Sequence, residues 1–215
     1  MYKAILFDLD GTLTESGEGI TKCVQYALEK FGIEEPDLKK LEVFVGPPLK
    51  EQFMKYAGLG DEDAEKAVEY YRERYGTKGI FENRPYPGVE EMLAELVRKG
   101  YRLSVASSKP EYYVKMILEH FHLSEYFTEI VGSELNGDRT DKTEVVEEAL
   151  KRLGMSEHRD QVIMVGDKEH DVIGARKAGL DCVAVSYGYG TEQELAEAAP
   201  LKIAETTEEV LDFFA

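Results

Sequence analysis

Two aspartates spaced by one residue, Asp8 and Asp10, stand behind a short apolar run at residues 3–7 and are followed at once by Gly11 and Thr12. Far downstream, Asp167 and Asp171 follow another apolar run at residues 161–165. Between these pairs come Ser107, Ser108 and Lys109, behind a third run at 102–106, and Lys142. Alone, each has an ordinary use: aspartate after a strand usually caps a helix or turn, and lysine usually lies on the surface. Together they describe a chemistry. Four gathered carboxylates repel one another and are costly to desolvate, which a hard cation with oxygen ligands relieves. Magnesium, held by a few carboxylates and substrate phosphate, is the natural choice. A phosphoryl group needs donors and positive charge that act most strongly on its transition state. The Ser107 hydroxyl, N–H groups near Asp10 and Ser108, and the Lys142 ammonium supply them. One carboxylate of the Asp8/Asp10 pair can attack phosphorus while the other moves the proton.

The elements that must position these residues can be read from periodicity. Residues 3–7 form a buried strand that stops at aspartate and glycine, poor strand formers and good turn formers. Ile20, Val24, Ala27, Leu28 and Phe31 recur at helical spacing, and Gly32 ends that helix. Further helices are expected at 38–43, 49–57 and 62–75, so residues 15–80 are all-helical. After Pro85-Tyr86-Pro87-Gly88 the pattern alternates. Helices are expected at 89–99, 110–121, 142–153 and 171–178, with strands at 102–106, 129–131, 161–165 and 182–186. Such alternation predicts an α/β fold: a Rossmann-like, doubly wound parallel sheet with an inserted all-helical domain. Its ligand site lies at the carboxyl ends of the strands, where all four groups of reactive residues fall.

The chain has 215 residues and a formal net charge of −17, which argues against a nucleic-acid polymer as partner, since that needs a basic face. It does not exclude a phosphorylated substrate, because a bound cation and placed lysines reverse the field locally. No apolar stretch approaches the length of a membrane span, no signal-peptide pattern opens the chain, and Cys23 and Cys182 read as buried thiols in a reduced compartment. A cytoplasmic location is the expectation.

Asp8-Leu9-Asp10-Gly11-Thr12-Leu13, Ser107, Lys142 and Gly166-Asp167-Lys168-Glu169-His170-Asp171 resemble, in order, the four signature motifs of the haloacid dehalogenase-like superfamily. The resemblance implies Asp8 as nucleophile and metal ligand. It implies Asp10 as general acid/base that also offers its backbone carbonyl to the metal. Asp167 becomes a direct metal ligand and Asp171 an outer one, with Mg2+ as cofactor. Gly11, Thr12, Ser107, Ser108, Lys109 and Lys142 become phosphate or substrate binders. The resemblance also implies a mobile cap at residues 15–80 that selects the substrate, on a core formed by 1–14 plus 81–215.

Within the superfamily, Val45-Gly46-Pro47-Pro48-Leu49, Ser107-Ser108-Lys109-Pro110, Arg139-Thr140-Asp141-Lys142 and Gly188-Tyr189-Gly190 resemble phosphoglycolate phosphatase-like enzymes. The implied activity is hydrolysis of a small phosphorylated metabolite through an aspartyl-phosphate. A 5'-nucleotidase, an inorganic pyrophosphatase and a phosphomutase stay open as alternatives. Ser107-Ser108 departs from the commoner threonine-asparagine pair, keeping the hydroxyl and losing the amide. Lys50 is a candidate substrate contact in the cap, and Arg139 a candidate near the site. His170 reads as a helix-start residue, and Tyr56, Tyr70, Tyr71 and Tyr75 as cap core or surface. A phospho-accepting receiver domain would be shorter and lack the helical insertion. A dehalogenase would need neither Asp10 nor the Asp167/Asp171 pair, and a non-catalytic binder would not need to keep both Asp8 and Asp10.

Overall fold

Ala4-Ile5-Leu6-Phe7 carries no polar side chain and is buried throughout. A strand covered on both faces reads this way, as a continuous apolar run without alternation. In the computed structural model, which describes residues 1–215, this strand, β1 (Ala4–Phe7), lies inside a six-stranded sheet. The others are β2 (Arg102–Pro110), β3 (Phe127–Ser133), β4 (Val162–Gly166), β5 (Asp181–Val185) and β6 (Lys202–Ala204). The order is β3-β2-β1-β4-β5-β6, and every pairing is parallel. The chain therefore leaves β1 with β2 on one side and β4 on the other, the reversal point at which open sheets bind ligands.

This sheet belongs to a compact unit formed by Met1–Thr14 and Pro85–Ala215. Its helices are α4 (Val89–Arg98), α5 (Glu111–His120), α6 (Lys142–Leu153), α7 (Glu169–Lys177), α8 (Glu192–Ala198) and α9 (Thr207–Phe213). One core cluster joins Leu6, Val131, Val146, Leu150, Met164 and Ala184. A second unit, Glu15–Arg84, holds α1 (Gly17–Glu29), α2 (Leu49–Ala57) and α3 (Asp61–Tyr75). Leu28, Leu41, Phe44, Phe53 and Tyr71 are buried there, and Arg74 grips Glu82 through two nitrogens at 2.7 and 3.1 Å. No helix is long and apolar enough to cross a membrane. Cys23 and Cys182 are both buried and form no disulfide.

The observed elements differ from the sequence expectation in three informative places. The 38–43 segment is a 3-10 helix, Leu38–Phe44, begun by the Asp37 side chain accepting Lys39 N–H and cut off by Gly46-Pro47-Pro48. Strand β2 does not end at Ala106 but runs to Pro110, so Ser107, Ser108 and Lys109 lie within it, and Pro110 caps α5 instead of opening it. A sixth strand, Lys202-Ile203-Ala204, was not expected.

Candidate active site

Asp8 directly follows β1, and its N–H continues the ladder by donating to Val165 O at 2.9 Å. Asp167 stands just past the end of the neighbouring β4, and Asp171 lies in the first turn of α7. The Asp171 carboxylate accepts the Lys168 N–H at 3.0 Å, which caps the helix and holds the side chain back toward the strand end. The carboxylates of Asp8, Asp167 and Asp171 consequently come together, with one oxygen of each within 4.8 Å of the others, and all three are buried.

Lys142, the first residue of α6, reaches into this cluster from the other side of β1. Its Nζ lies 3.0 Å from Asp8 Oδ1 and 2.7 Å from Asp171 Oδ1, and it donates to Ala106 O at 3.2 Å. The Asp141 side chain starts α6 by accepting Thr143 N–H, which puts Lys142 at the helix head. Burial works against the Lys142 ammonium, yet Asp171 and Asp8 outweigh it and hold the lysine firmly protonated. For Asp8, burial is the strongest influence. Lys142 opposes it, Asp171 and Asp10 add to it, Ser107 relieves it by a hydrogen bond, and the carboxyl ends up at about 6. Burial, then Asp171 and Asp8, push Asp167 well above the ordinary carboxylate range. With all three carboxylates ionised, the one ammonium would leave two negative charges uncompensated in a buried site. That donor set fits a divalent cation with oxygen ligands.

Asp167 is held from several directions. Thr12 Oγ1 donates to its Oδ1 at 3.3 Å, and Tyr189 N–H donates to its Oδ2 at 2.7 Å. Gly11 adopts φ +83°, and a β-carbon there would run into the Asp167 carboxylate. Only glycine supplies both the backbone angle and the space. Beside it, the Tyr187 hydroxyl donates to Thr12 O at 3.0 Å and its ring packs on Tyr86 at 4.9 Å between centroids. Burial, with Asp167 nearby, raises the Tyr187 hydroxyl above its usual range, so it stays a donor.

Ser107 and Lys109 enter through a defect in the sheet. Ala106 pairs with Val131 and Pro110 with Ser133, so three residues of β2 oppose Gly132 alone. This bulge re-aims the strand end. Ser107 is buried beside Asp8, while Lys109 Nζ lies 2.7 Å from Asp10 Oδ2. Ser108 is half-buried on the same bulge.

The expected residues thus divide. Asp8, Asp10, Gly11, Thr12, Ser107, Ser108, Lys109, Lys142, Asp167 and Asp171 are gathered by the strand ends of the sheet unit. Lys50 belongs to the helical unit, where its ammonium is shared by Asp61 at 2.7 Å and Glu65 at 2.8 Å. Arg139 donates to Gly132 O and pairs with Glu134 at 2.6 Å, fastening the loop before α6. His170 is exposed at the start of α7. Sequence reasoning did not find the roles of Tyr187 or of Gly174 in α7, which lies against the Lys142 side chain. The second had a signal, a glycine inside a helix against its propensity.

The fold and site define a class of enzyme, and comparison with known proteins agrees. The haloacid dehalogenase-like hydrolase profile matches residues 5–185. A 5'-nucleotidase of Pseudomonas aeruginosa is 46% identical over 199 residues, covering 93% of this chain and 89% of that protein. The tyrosine-protein kinase PtkA of Mycobacterium tuberculosis is 40% identical over 186 residues, 86% of this chain and 62% of its own length. A phosphoglycolate phosphatase of Aquifex aeolicus is 32% identical over 187 residues, 87% of this chain and 86% of that protein. Among solved structures, a predicted phosphatase from Clostridium acetobutylicum superposes with a TM-score of 0.96 at 46% identity, covering 100% of this chain and 98% of the other. The chain belongs to the haloacid dehalogenase-like hydrolase family, in which it is a phosphoric monoester hydrolase.

Proposed function

We propose that this protein is a cytoplasmic, Mg2+-dependent phosphatase that hydrolyses a small phosphorylated metabolite through a phosphoryl-Asp8 intermediate. The observation that carries the reading is the buried chain Asp8–Lys142–Asp171, in which one ammonium spans two carboxylates at 3.0 and 2.7 Å. A carboxylate so held has one oxygen anchored and the other available, which suits an oriented nucleophile. In the first step an Asp8 oxygen bonds to phosphorus as the ester P–O bond breaks, and protonated Asp10 gives its proton to the leaving oxygen. In the second step water attacks phosphorus, Asp10 takes the water's proton, and the Asp8–phosphorus bond breaks to release phosphate. Ser107, Ser108, Lys142 and the N–H groups around Gly11 and Thr12 bind the phosphoryl oxygens in this scheme. Asp8, Asp167 and the Asp10 backbone carbonyl would hold Mg2+, with Asp171 outside them; bound there, the ion neutralises carboxylate charge and polarises the phosphoryl oxygens. The helical unit is assigned as the substrate-selecting cap.

For the substrate, the 46% identity to a 5'-nucleotidase against 32% to a phosphoglycolate phosphatase favours a nucleoside 5'-monophosphate over 2-phosphoglycolate. The deciding experiment is phosphate release with Mg2+ across nucleoside monophosphates, 2-phosphoglycolate, pyrophosphate and sugar phosphates. The highest kcat/KM is expected on a nucleoside monophosphate. A preference for 2-phosphoglycolate would return the reading to the phosphoglycolate phosphatases, and no phosphate release from any of them would overturn it. The similarity to PtkA supports a second reading, phosphoryl transfer to tyrosine, which labelled ATP and a tyrosine peptide would test in the same buffer.

A further inference from the structure

Lys109 is a half-buried residue whose side chain is covered and whose ammonium pairs with Asp10. Its Nζ lies 2.7 Å from Asp10 Oδ2, and both side chains are less than a tenth exposed. The other oxygen, Asp10 Oδ1, is buried and accepts no hydrogen bond within the protein. The carboxylate is thus pinned at one end and unfilled at the other. The backbone that carries Lys109 is closely packed. Its N–H approaches Ser107 Oγ at 3.4 Å, and the bulge that carries it is packed against Gly132, where a β-carbon would stand 2.5 Å from Lys109 O. The bulge therefore delivers Ser107 toward Asp8 and Lys109 toward Asp10 from one stretch of strand.

We infer that Lys109 is a positioning residue for Asp10: its ion pair fixes the carboxylate plane so that Oδ1 faces the leaving oxygen, and its effect on turnover passes through proton transfer rather than phosphate binding. The inference rests on the proposed role of Asp10. It concerns the step in which the P–O bond of the ester breaks, an Asp8 oxygen bonds to phosphorus, and the Asp10 proton passes to the departing oxygen. A well-placed acid contributes about 10²–10⁴-fold to such a step, and a poor leaving group depends on it most. Losing alignment while keeping the acid forfeits part of that factor.

The test compares kcat/KM of wild type and Lys109→Gln on a nucleoside 5'-monophosphate and on nitrophenyl and dinitrophenyl phosphates. This constant reports the steps up to departure of the leaving group. The expected loss is about 30-fold on the nucleotide, shrinking to about 3-fold or less on the dinitrophenyl ester, which leaves without help. Lys109→Arg keeps a cation and should recover most of the nucleotide activity. A loss of equal size on all esters, with weaker inhibition by inorganic phosphate, would make Lys109 a phosphate binder and overturn the inference. Should Lys109→Gln fail to fold, Lys109→Gln/Asp10→Asn removes both charges of the pair and is compared with Asp10→Asn by the rate of phosphoenzyme formation. Equal rates support the positioning role, and a further drop refutes it. If the wild type itself releases no phosphate, the proposed function fails rather than this inference.

Discussion

Gly174 of α7 lies against the stem of Lys142: a β-carbon at 174 would stand 2.6 Å from Lys142 Cγ and 2.8 Å from its Cβ. Both residues are buried, so the lysine has nowhere to retreat without leaving Asp8 and Asp171. Alanine would gain about 1 kcal/mol of helix propensity over glycine, while overpacking typically costs about 1–3 kcal/mol. Gly174→Ala is therefore expected to lower stability by about 1 kcal/mol and to lower kcat more than tenfold as Lys142 shifts. Thermal melts and phosphate-release kinetics check this. A stabilised variant with full turnover would show that the contact yields without moving the lysine.

The raised Asp8 carboxyl predicts a pH dependence whose sign is the reverse of an ordinary salt-bridged aspartate. Its ordinary value of 3.8 rises to about 6 in the folded protein, so folding favours the protonated form. That contribution is present below about 4 and is lost as pH rises through about 6. In chelator, Asp8→Asn should therefore gain stability on the wild type between pH 4 and 6, and hold that gain above. Mg2+ should raise the wild-type Tm more at pH 7.5 than at pH 5, because binding must displace protons. A Tm difference that stays flat from pH 4 to 7 would contradict the shift.

Much of this architecture was legible in the sequence because helix and strand periods alternate cleanly after Pro85, and glycines at 100, 154 and 179 punctuate them. The convergence of Asp8, Ser107, Lys142 and Asp167 followed from one topological rule about strand ends. What escaped depends on geometry that periodicity does not carry. A bulge leaves no mark in the hydrophobic pattern of 102–110, so Lys109 reads from sequence as a phosphate or substrate binder beside Ser107, and its pairing with Asp10 does not show there. Tyr187 follows a strand like many tyrosines, and only the fold brings its hydroxyl to Thr12, 175 residues away in sequence. The helical segment expected at 38–43 is present as a 3-10 helix, Leu38–Phe44, and a pattern of six residues does not distinguish that pitch from an α-helix.

Removal of the divalent ion is expected to stop turnover completely and reversibly. The buried site keeps two uncompensated negative charges when Asp8, Asp167 and Asp171 are ionised around Lys142, a poor surface for a phosphate dianion. Dialysis against chelator followed by Mg2+ titration should restore phosphate release. Turnover that persists in chelator would point instead to attack on carbon, the dehalogenase chemistry.

Asp8→Asn gives the sharpest test of the nucleophile. The amide is nearly isosteric, its oxygen can still accept from Lys142, and Lys142 retains Asp171 at 2.7 Å, so the fold is expected to survive intact. Loss of a covalent nucleophile typically costs several powers of ten, and here at least about 10⁴-fold in kcat is expected at saturating Mg2+. Asp10→Asn differs in kind. It keeps the attacking carboxylate but loses the proton carrier, so it should slow each half-reaction by about 10²–10⁴-fold. With an aryl phosphate whose leaving group needs little protonation, Asp10→Asn should form the phosphoenzyme faster than it hydrolyses it. Intact-mass spectrometry after acid quench should then find one phosphoryl group on Asp10→Asn and none on Asp8→Asn. A phosphoryl group on the Asp8→Asn protein would move the nucleophile to another residue.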